Sequence, residues 1–367
     1  MDKKEFDTVI KACRFCLMCR HLCTVGNITY VETNTPRGQA LMLDCMGSEA
    51  LEDEPENRKR AAEVLFSCCY CGRCQNNCVS SYRHPDAVMA ARAAIKEEDL
   101  PENVKELRAL VKQTGGIYEK GSQVKGKSDI KDANLLLYIG SYARNEAPEI
   151  ANAAIGVFEA AGVSYTIISN EISLGMDAYK LGMAELAQSL LDDEIKKINA
   201  LNPKRIVTLS AEDQRALSGD IPGLKASGLD IPIISFSSIA LELINSGKLS
   251  THDGGNMVAA YHDGDQSGKF LKEFDIQRGI IKALPGIEFK ELFWSRDEAA
   301  SAGESGAIMA LDGVLARKIA KKRIEQVEDR NIDILVTDSA KAKALLSEQA
   351  GEKINIVHIA EFLYLHV

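Results

Sequence analysis

The chain has 367 residues, with 44 lysines and arginines against 53 aspartates and glutamates, so its formal net charge is −9. A length of this order predicts two or three domains, at roughly 100 to 200 residues each. The acidic balance disfavours a nucleic-acid partner, because phosphate binding needs clustered positive charge. No uninterrupted apolar run approaches the roughly 20 residues that span a bilayer.

The first residues lack the apolar stretch and the small-residue cleavage site of a secretory signal, so we expect a cytoplasmic protein. In that reducing compartment, ten cysteines are better explained as metal ligands or redox groups than as disulfides. All of them lie between Cys13 and Cys78. The chemistry that they support therefore belongs to the N-terminal part of the chain.

The cysteine-rich segment is predicted to be helical, without strands. Thr35 is suited to cap a helix that begins at Pro36 and continues through the apolar stretch 40–43. Residues 58–66 and 86–96 are rich in Ala, Glu, Lys and Arg and lack Gly and Pro, which predicts two further helices. Residues 115–132 are rich in Gly, Lys and Ser and are predicted to form a linker.

After the linker, short apolar runs alternate with helical stretches, which predicts parallel strands joined by crossover helices. The predicted strands are residues 135–140, 165–169, 205–210, 231–236, 257–262, 289–293, 333–337 and 354–359. The main predicted helices between them are residues 149–161, 177–198, 275–284 and 311–328.

The alternating pattern occurs twice. Segment 205–217 resembles segment 333–345, and segment 232–243 resembles segment 355–365. We therefore predict an α/β region of two duplicated units, residues 133–250 and 251–367, with mainly parallel sheets. The alternative is that any two α/β segments show this much similarity.

Two cysteine runs have identical spacing, Cys13-x2-Cys16-x2-Cys19-x3-Cys23 and Cys68-x2-Cys71-x2-Cys74-x3-Cys78. Three closely spaced thiolates can wrap one cubane 4Fe–4S cluster while the fourth cysteine of the run reaches a neighbouring cluster. Two such runs complete each other. The predicted ligands are Cys13, Cys16, Cys19 and Cys78 for one cluster, and Cys68, Cys71, Cys74 and Cys23 for the other.

Zinc is the alternative metal for these cysteines. All-thiolate zinc sites usually take their ligands as two pairs with a longer spacer between them, so the repeated runs favour iron–sulfur clusters. Cys45 and Cys69 fall outside both runs. Cys69 lies between ligands and is an alternative ligand, but for both residues we favour the role of a small buried hydrophobic side chain.

With these motifs the chain resembles the heterodisulfide reductase-like iron–sulfur subunits, including those of anaerobic glycerol-3-phosphate, glycolate and lactate oxidation. The resemblance rests on both cysteine runs, on NTPRGQALML between them and on VLFSCCYCGRCQNNC. It implies that residues 1–114 form an α-helical ferredoxin domain with two 4Fe–4S clusters. One departure is that the proline usual after the fourth cysteine is Thr24 in the first run and Val79 in the second.

The resemblance extends to the two α/β units, which in this family carry a Cys-Cys-Gly motif that binds a catalytic cluster or zinc. Here the surrounding residues are kept but every cysteine is replaced. In the first unit the replaced positions are Ser141, Ser173, Leu174, Ser210 and Asp213, with Gly175 retained. In the second they are Asp265, Glu304, Ser305, Ser339 and Ala342, with His262, Asp263, Gly268 and Gly306 retained. A thiolate-bound catalytic cluster is therefore not expected in this region.

Two other uses of the α/β region are weaker alternatives. Asp213, His262, Asp265 and Glu304 could hold a hard or borderline cation, since carboxylates and imidazole suit such metals. A flavin or nucleotide could bind in an α/β crevice, although no glycine-rich phosphate-binding motif is present.

The resemblance implies an electron-transfer subunit whose partner is a flavoprotein dehydrogenase or an electron-transfer flavoprotein within a redox complex. The α/β region would then be a non-catalytic docking platform. Peripheral association with a membrane is left open. The alternatives are an oxidoreductase with its own active site or bound cofactor in the α/β region, and a regulatory or assembly protein that senses oxidation.

Two complete sets of four cysteines predict about eight iron and eight sulfide per chain after anaerobic preparation. Iron and acid-labile sulfide analysis, with metal identification by mass spectrometry, measures this directly. An iron content near four, or zinc in its place, would contradict the interpretation.

Overall fold

The computed structural model describes residues 3–47, 54–118, 121, 123–328 and 331–367. Residues 119, 120 and 122 of the predicted linker lie outside the described residues. A helical N-terminal segment is followed by two parallel β-sheets with their crossover helices. Within the described ranges, no helix combines the length and the apolar character needed to cross a bilayer.

The N-terminal segment is built from helices, as predicted. Its helices are α1 Lys3–Lys11, α2 Met18–Leu22, α3 Gly26–Thr29, α4 Pro36–Gly47, α5 Pro55–Phe66, α6 Arg73–Asn76, α7 His84–Ala94 and α8 Glu102–Thr114. The helices predicted from sequence correspond to α4, α5 and α7. Each of these has a proline in its first turn, where the missing N–H has no intrahelical partner to lose.

The first α/β unit follows the chain order expected for crossover connections. Its elements are β1 Leu135–Tyr138, α9 Ser141–Asn145, α10 Pro148–Ala160, β2 Tyr165–Thr166, α11 Met176–Lys180, α12 Ala184–Leu201, β3 Arg205–Thr208, α13 Ala211–Leu217, β4 Ile233–Ser235 and α14 Phe236–Asn245.

The second α/β unit has a similar succession of elements. They are β5 Met257–His262, α15 Ile276–Ala283, β6 Ile287–Phe289, α16 Ile308–Leu311, α17 Gly313–Glu328, β7 Ile334–Thr337, α18 Ala340–Ala350, β8 Asn355–His358 and α19 Ile359–Tyr364. A π-helix, Asp265–Phe270, follows β5, and short 3₁₀-helices occur at Glu32–Asn34, Glu97–Asp99 and Arg296–Glu298.

Both sheets have the same topology. The strand orders are β2-β1-β3-β4 and β6-β5-β7-β8, and all pairs are parallel. The prediction of an α/β region with parallel sheets is confirmed, and the shared strand order agrees with the predicted duplication. The central strands β1 and β7 are buried along their whole length, as is typical of strands covered by helices on both faces.

Several predicted elements differ from the structure: the strand predicted at residues 165–169 is only β2, and the helix predicted at residues 311–328 is divided between α16 and α17. The helix predicted at residues 177–198 is interrupted between α11 and α12 at Gly182, which has a φ of +77° and lies so close to the Arg92 carbonyl that a Cβ would be 2.5 Å from its oxygen. The strand predicted at residues 289–293 is β6, Ile287–Phe289, because the chain leaves the sheet after Phe289. The Phe293 ring instead packs edge-on against Trp294.

The apolar cores do not follow the sequence boundaries of the three segments. One core joins Leu65 and Val88 of the N-terminal helices to Leu136 and Tyr138 of β1. Another lies between the two sheets. A third joins Cys69 to apolar residues of the second unit. Each segment therefore depends on its neighbours for burial of its apolar surface.

Gly306, which keeps the family's glycine in the second α/β unit, lies directly against the second cysteine run. Its φ is +71°, and a Cβ there would be 2.6 Å from the Cys69 carbonyl carbon and 2.8 Å from the Cys68 carbonyl oxygen. Because neither backbone atom can rotate away, only glycine fits this contact. A glycine at position 306 is therefore required by its packing against the second cysteine run.

Gly306→Ala is expected to lower the free energy of unfolding by about 1–3 kcal/mol more than a glycine change that meets only backbone strain. Gly219→Ala is the matched control, since Gly219 also has a φ of +71° and no atom within 4 Å of the added Cβ. The two variants are compared by urea unfolding. Equal shifts of the midpoint would show that the contact with Cys68 and Cys69 relaxes at no cost.

Candidate functional site

The two cysteine runs have the same local backbone conformation. Phe15 and Tyr70, each directly before the second cysteine of its run, have φ values of +50° and +52°, which are uncommon for residues other than glycine. The Phe15 N–H donates to the Cys13 Sγ at 3.4 Å, and burial raises the pKa of the Cys68 thiol while the backbone of Tyr70 opposes this shift. The sequence repeat is thus also a structural repeat.

The first cysteine group consists of Cys13 and Cys16 in the loop after α1, Cys19 in α2, and Cys78, which follows α6. Burial raises the pKa of Cys13, and the charges of Cys78 and Cys16 raise it further. Burial likewise raises the pKa of Cys19 to about 11, with added contributions from Cys13, Cys16 and Cys78. These four thiols therefore influence one another although Cys78 is far from the others in sequence.

The second cysteine group consists of Cys68, Cys71 and Cys74 of the later run together with Cys23 of the earlier run. Burial raises the pKa of Cys23, and the charges of Cys71 and Cys68 raise it further. Burial also raises the pKa of Cys74 well above its usual value, and the charges of Cys71, Cys68 and Cys23 add to this shift. Cys19 also contributes to the shift at Cys74, so the two groups lie next to each other.

Hydrogen-bond donors surround the sulfur atoms of the last cysteine in each run. The Gly26 N–H donates to the Cys23 Sγ at 3.3 Å. The Cys78 Sγ accepts from the Tyr82 N–H at 3.4 Å and lies 3.4 Å from the Ser80 hydroxyl. Donors of this kind stabilise thiolates and tune the potentials of iron–sulfur clusters. The donors at Cys23 and Cys78 thus suit thiolates that bind an iron–sulfur cluster.

Within the described ranges, no three His, Cys, Asp or Glu side chains are placed to hold one metal ion. In a cubane cluster each thiolate binds a different iron atom, so the sulfur atoms of its four ligands stand around the cluster and do not converge on one point.

Cys69 is buried and interacts with Cys71, a predicted cluster ligand. The hydrogen bond with Cys71 raises the pKa of Cys69 well above its usual value, and burial adds to this shift. The same hydrogen bond lowers the pKa of Cys71 against the effect of burial. Cys69 also packs in the apolar core of the second unit, as expected for a buried cysteine. Cys45 is half-buried in α4.

Arg92 is a central residue that the sequence reasoning missed. Its fully buried guanidinium donates to the carbonyls of Leu65, at 3.1 and 2.9 Å, and Cys68, at 2.8 Å. It also donates to the main-chain carbonyl of Lys180 in the first α/β unit, at 2.9 Å, and to that of Gly306 in the second, at 3.2 Å. The available signal was a single charge within the apolar stretch 87–94, since a buried charge needs partners.

Eight of the ten positions at which the resemblance implies a replaced cysteine line one cavity between the two α/β units, and Leu174 and Ala342 do not line it. The cavity has a volume of about 70 Å³ and lies at the carboxyl ends of β1, β3, β5 and β7. Replaced positions from both units line it, namely Ser141, Ser173, Ser210, Asp213, Asp265, Glu304, Ser305 and Ser339. Its size admits a few waters or a small polar molecule and is well below the several hundred cubic ångströms typical of cofactor pockets.

Asp265 and Glu304 form a buried acidic pair in the cavity wall. The Ser301 hydroxyl donates to Asp265 Oδ2 at 2.6 Å and lies 3.2 Å from Glu304 Oε2. Lys269 Nζ is 3.3 Å from Asp265 Oδ1, and both side chains are buried. Burial and the Asp265 charge raise the pKa of Glu304 to about 8, so this carboxyl is largely protonated at neutral pH.

Across the cavity, burial and the Glu212 charge raise the pKa of Asp213 to about 7. The lining therefore contains carboxyls, on both of its sides, that exchange protons near neutral pH. Asp265 connects this lining to the second cysteine group, because its charge contributes to the pKa shifts of Cys69 and Cys71.

The four residues grouped from sequence as a possible cation site do not all lie together. His262 does not line the cavity with Asp213, Asp265 and Glu304; its Nδ1 instead accepts from Arg323 Nε at 3.2 Å. Burial and the Arg323 charge hold the pKa of His262 well below its usual value. Asp263 is held by Arg278 at 2.7 and 2.9 Å. Both retained residues thus have structural partners.

Comparison with known proteins supports the iron–sulfur interpretation. No protein-family model matches the chain. It is 22% identical over 82% of its length to the probable iron–sulfur-binding oxidoreductase FadF of Bacillus subtilis, of which 46% is covered. It is 21% identical over 91% of its length to EtfAB:quinone oxidoreductase of Syntrophomonas wolfei, of which 49% is covered. The chain spans about half the length of these two relatives.

The dihydromethanophenazine:CoB–CoM heterodisulfide reductase of Methanosarcina barkeri has a subunit that is 22% identical over 81% of the chain, and 76% of that subunit is covered. Among solved structures, glutamate racemase RacE1 of Bacillus anthracis has a TM-score of 0.31 at 11% identity, covering 64% of this chain and 80% of the racemase, too low to inform fold or function. The resemblance inferred from the cysteine motifs is confirmed: the chain is related to the heterodisulfide reductase-like iron–sulfur proteins.

Proposed function

We propose that the chain is an electron-transfer subunit of a redox complex and relays electrons through two 4Fe–4S clusters to or from a flavoprotein oxidoreductase. Its relatives are iron–sulfur oxidoreductases and subunits of redox complexes, which supports an electron-transfer role. The observation that carries the proposal is the grouping of thiols across the two runs. When bound, the clusters would supply one-electron transfer.

The ligands we propose are Cys13, Cys16, Cys19 and Cys78 for the first cluster, and Cys68, Cys71, Cys74 and Cys23 for the second. The mutual pKa effects within each group support this assignment. The contribution of Cys19 to the shift at Cys74 supports adjacent clusters. The protein holds the thiolates in place and donates N–H groups to them.

The two groups differ in their surroundings, which supports a relay with distinct ends. Cys16 of the first group is exposed, whereas Cys71 and Cys74 of the second are buried. The second group lies under the α/β units, held by Arg92 and Gly306. We propose that the α/β region is a non-catalytic platform that holds this end and offers surfaces to other subunits.

Cys78→Ser tests the exchange of ligands between the runs. We expect the cluster of Cys13, Cys16 and Cys19 to be lost or altered while the other cluster persists, so that iron falls from about eight to about four per chain. Electron paramagnetic resonance of the reduced protein identifies the remaining cluster. Cys45→Ser is the control and should leave both clusters intact. Loss of the cluster centred on Cys68, Cys71 and Cys74 would mean that each run binds its own.

Anaerobic purification of the native complex tests the relay itself. We expect flavin in the complex and none bound to this chain, and we expect the flavin to reduce or oxidise both clusters by single electrons. Subunit identification and flavin analysis make the comparison. Substrate turnover by the isolated chain, without any flavoprotein, would contradict the proposal.

The polar cavity favours a second candidate, an oxidoreductase whose active site lies between the α/β units. Its carboxyls Asp213 and Glu304 exchange protons near neutral pH, as general acids do. Asp265 connects the cavity to the second cysteine group. Turnover of small polar acceptors by the full chain with reduced viologen as donor, abolished in Glu304→Gln, would favour this candidate.

A further inference from the structure

The first cysteine group has one side that faces solvent. Of the eight proposed ligands, Cys16 alone is exposed. Leu17 and Met18, which follow it, are 55% and 51% exposed. Electron exchange between bound centres weakens steeply with distance, so a redox partner of this chain has to approach a centre where the protein covering is thinnest. The loop at Cys16 is that place.

Further exposed apolar side chains lie on the two segments that adjoin the first cysteine group. Tyr30 and Val31 are 88% and 48% exposed, and Val79, directly after the ligand Cys78, is 79% exposed. We call Leu17, Met18, Tyr30, Val31 and Val79 the Cys16 surface. Single exposed apolar residues are ordinary, but a group of them around one site is typical of an interface.

Two arginines hold the parts of the Cys16 surface together. Arg37 Nε donates to the Phe15 carbonyl at 2.8 Å, and its Nη1 is 2.6 Å from Glu32. Glu32 also binds Arg20 at 2.8 Å. The segment after Tyr30 is therefore fixed beside the loop at Cys16, so the apolar side chains of these two segments form one preformed surface.

The charge around the Cys16 surface is opposite to that of the whole chain. Residues 11–37 contain four basic residues, Lys11, Arg14, Arg20 and Arg37, and one acidic residue, Glu32, a local net charge of +3 in a chain of net charge −9. Lys11, Arg14 and Arg20 are exposed. A basic rim around exposed Met, Tyr and Leu is complementary to an acidic partner with an apolar centre.

We propose that the Cys16 surface is where an acidic flavoprotein docks to exchange electrons with this chain. The inference rests on the proposed relay function and places the exchange on the N-terminal segment, leaving the α/β region to hold the buried end. A second copy of the chain is disfavoured as the occupant, because two basic rims would repel each other. An anionic membrane is the competing occupant, and the test includes it.

The test uses the full-length, cluster-loaded protein and reduced flavodoxin, a small acidic flavoprotein, as the probe. In the measured step one electron leaves the reduced flavin and enters one oxidised cluster. The variants are Lys11→Glu and Arg14→Glu. Lys248→Glu is the control of equal charge change, on an exposed loop of the first α/β unit. Reduction by dithionite and the iron content verify that each variant keeps its clusters.

We expect Lys11→Glu and Arg14→Glu each to lower the second-order rate of cluster reduction about tenfold at low ionic strength, and the difference to shrink at high salt. Lys248→Glu should leave the rate within about twofold of the unchanged protein, since it alters the net charge but not the rim. Val79→Ser should lower the rate at both salt concentrations, because it removes apolar contact.

The outcomes separate the docking inference from the relay function. Unchanged rates in Lys11→Glu and Arg14→Glu, with clusters still reduced by flavodoxin, overturn the docking surface and leave the relay standing. Equal slowing by Lys248→Glu overturns it as well, because net charge alone would then act. Clusters that dithionite reduces but flavodoxin does not would contradict the relay function. If Arg14→Glu loses binding to phosphatidylserine vesicles but keeps the rate of cluster reduction by flavodoxin, the Cys16 surface is a membrane-binding surface and the docking inference is overturned.

Discussion

The arrangement of the molecule depends on one buried cation. The guanidinium of Arg92 has five N–H donors, and all five are used on four main-chain carbonyls from three parts of the chain. Two of these carbonyls, at Leu65 and Lys180, lie at the C-terminal ends of α5 and α11, where the helix dipole favours a positive charge. Because an unpaired buried charge is costly, the N-terminal segment and both α/β units have to meet around it.

The same contact fixes the environment of the second cysteine group. Arg92 holds the Cys68 carbonyl, and Gly306 approaches it from the second α/β unit. A change in the position of either α/β unit would therefore reach these thiols through the backbone. Asp265 lines the cavity between the units, and its charge also influences the pKa of Cys71 in the second cysteine group. The buried cysteines and the acidic cavity are thus parts of one packed region.

Much of the fold could be predicted because its signals are local. The strand predicted at residues 257–262 has the same bounds as β5. A short apolar run such as this one predicts a strand from its own residues alone. The break at Gly182 was missed because the cause, the Arg92 carbonyl, is distant in sequence. His262 was grouped with the acids for a similar reason: Arg323, which takes its Nδ1, is 61 residues away. The other three residues of that group, Asp213, Asp265 and Glu304, do line one cavity although they come from two units, because the carboxyl ends of both sheets meet there.

The depth of the second cysteine group has a consequence for biosynthesis. Cys71 and Cys74 are buried, and Cys68 lies beneath Gly306, whereas Cys16 stays open to solvent. A delivery protein could reach Cys71 and Cys74 only while the N-terminal helices are free of the α/β units, whereas Cys16 stays accessible in the folded chain. The second cluster would then have to be inserted before the C-terminal half closes over these thiols.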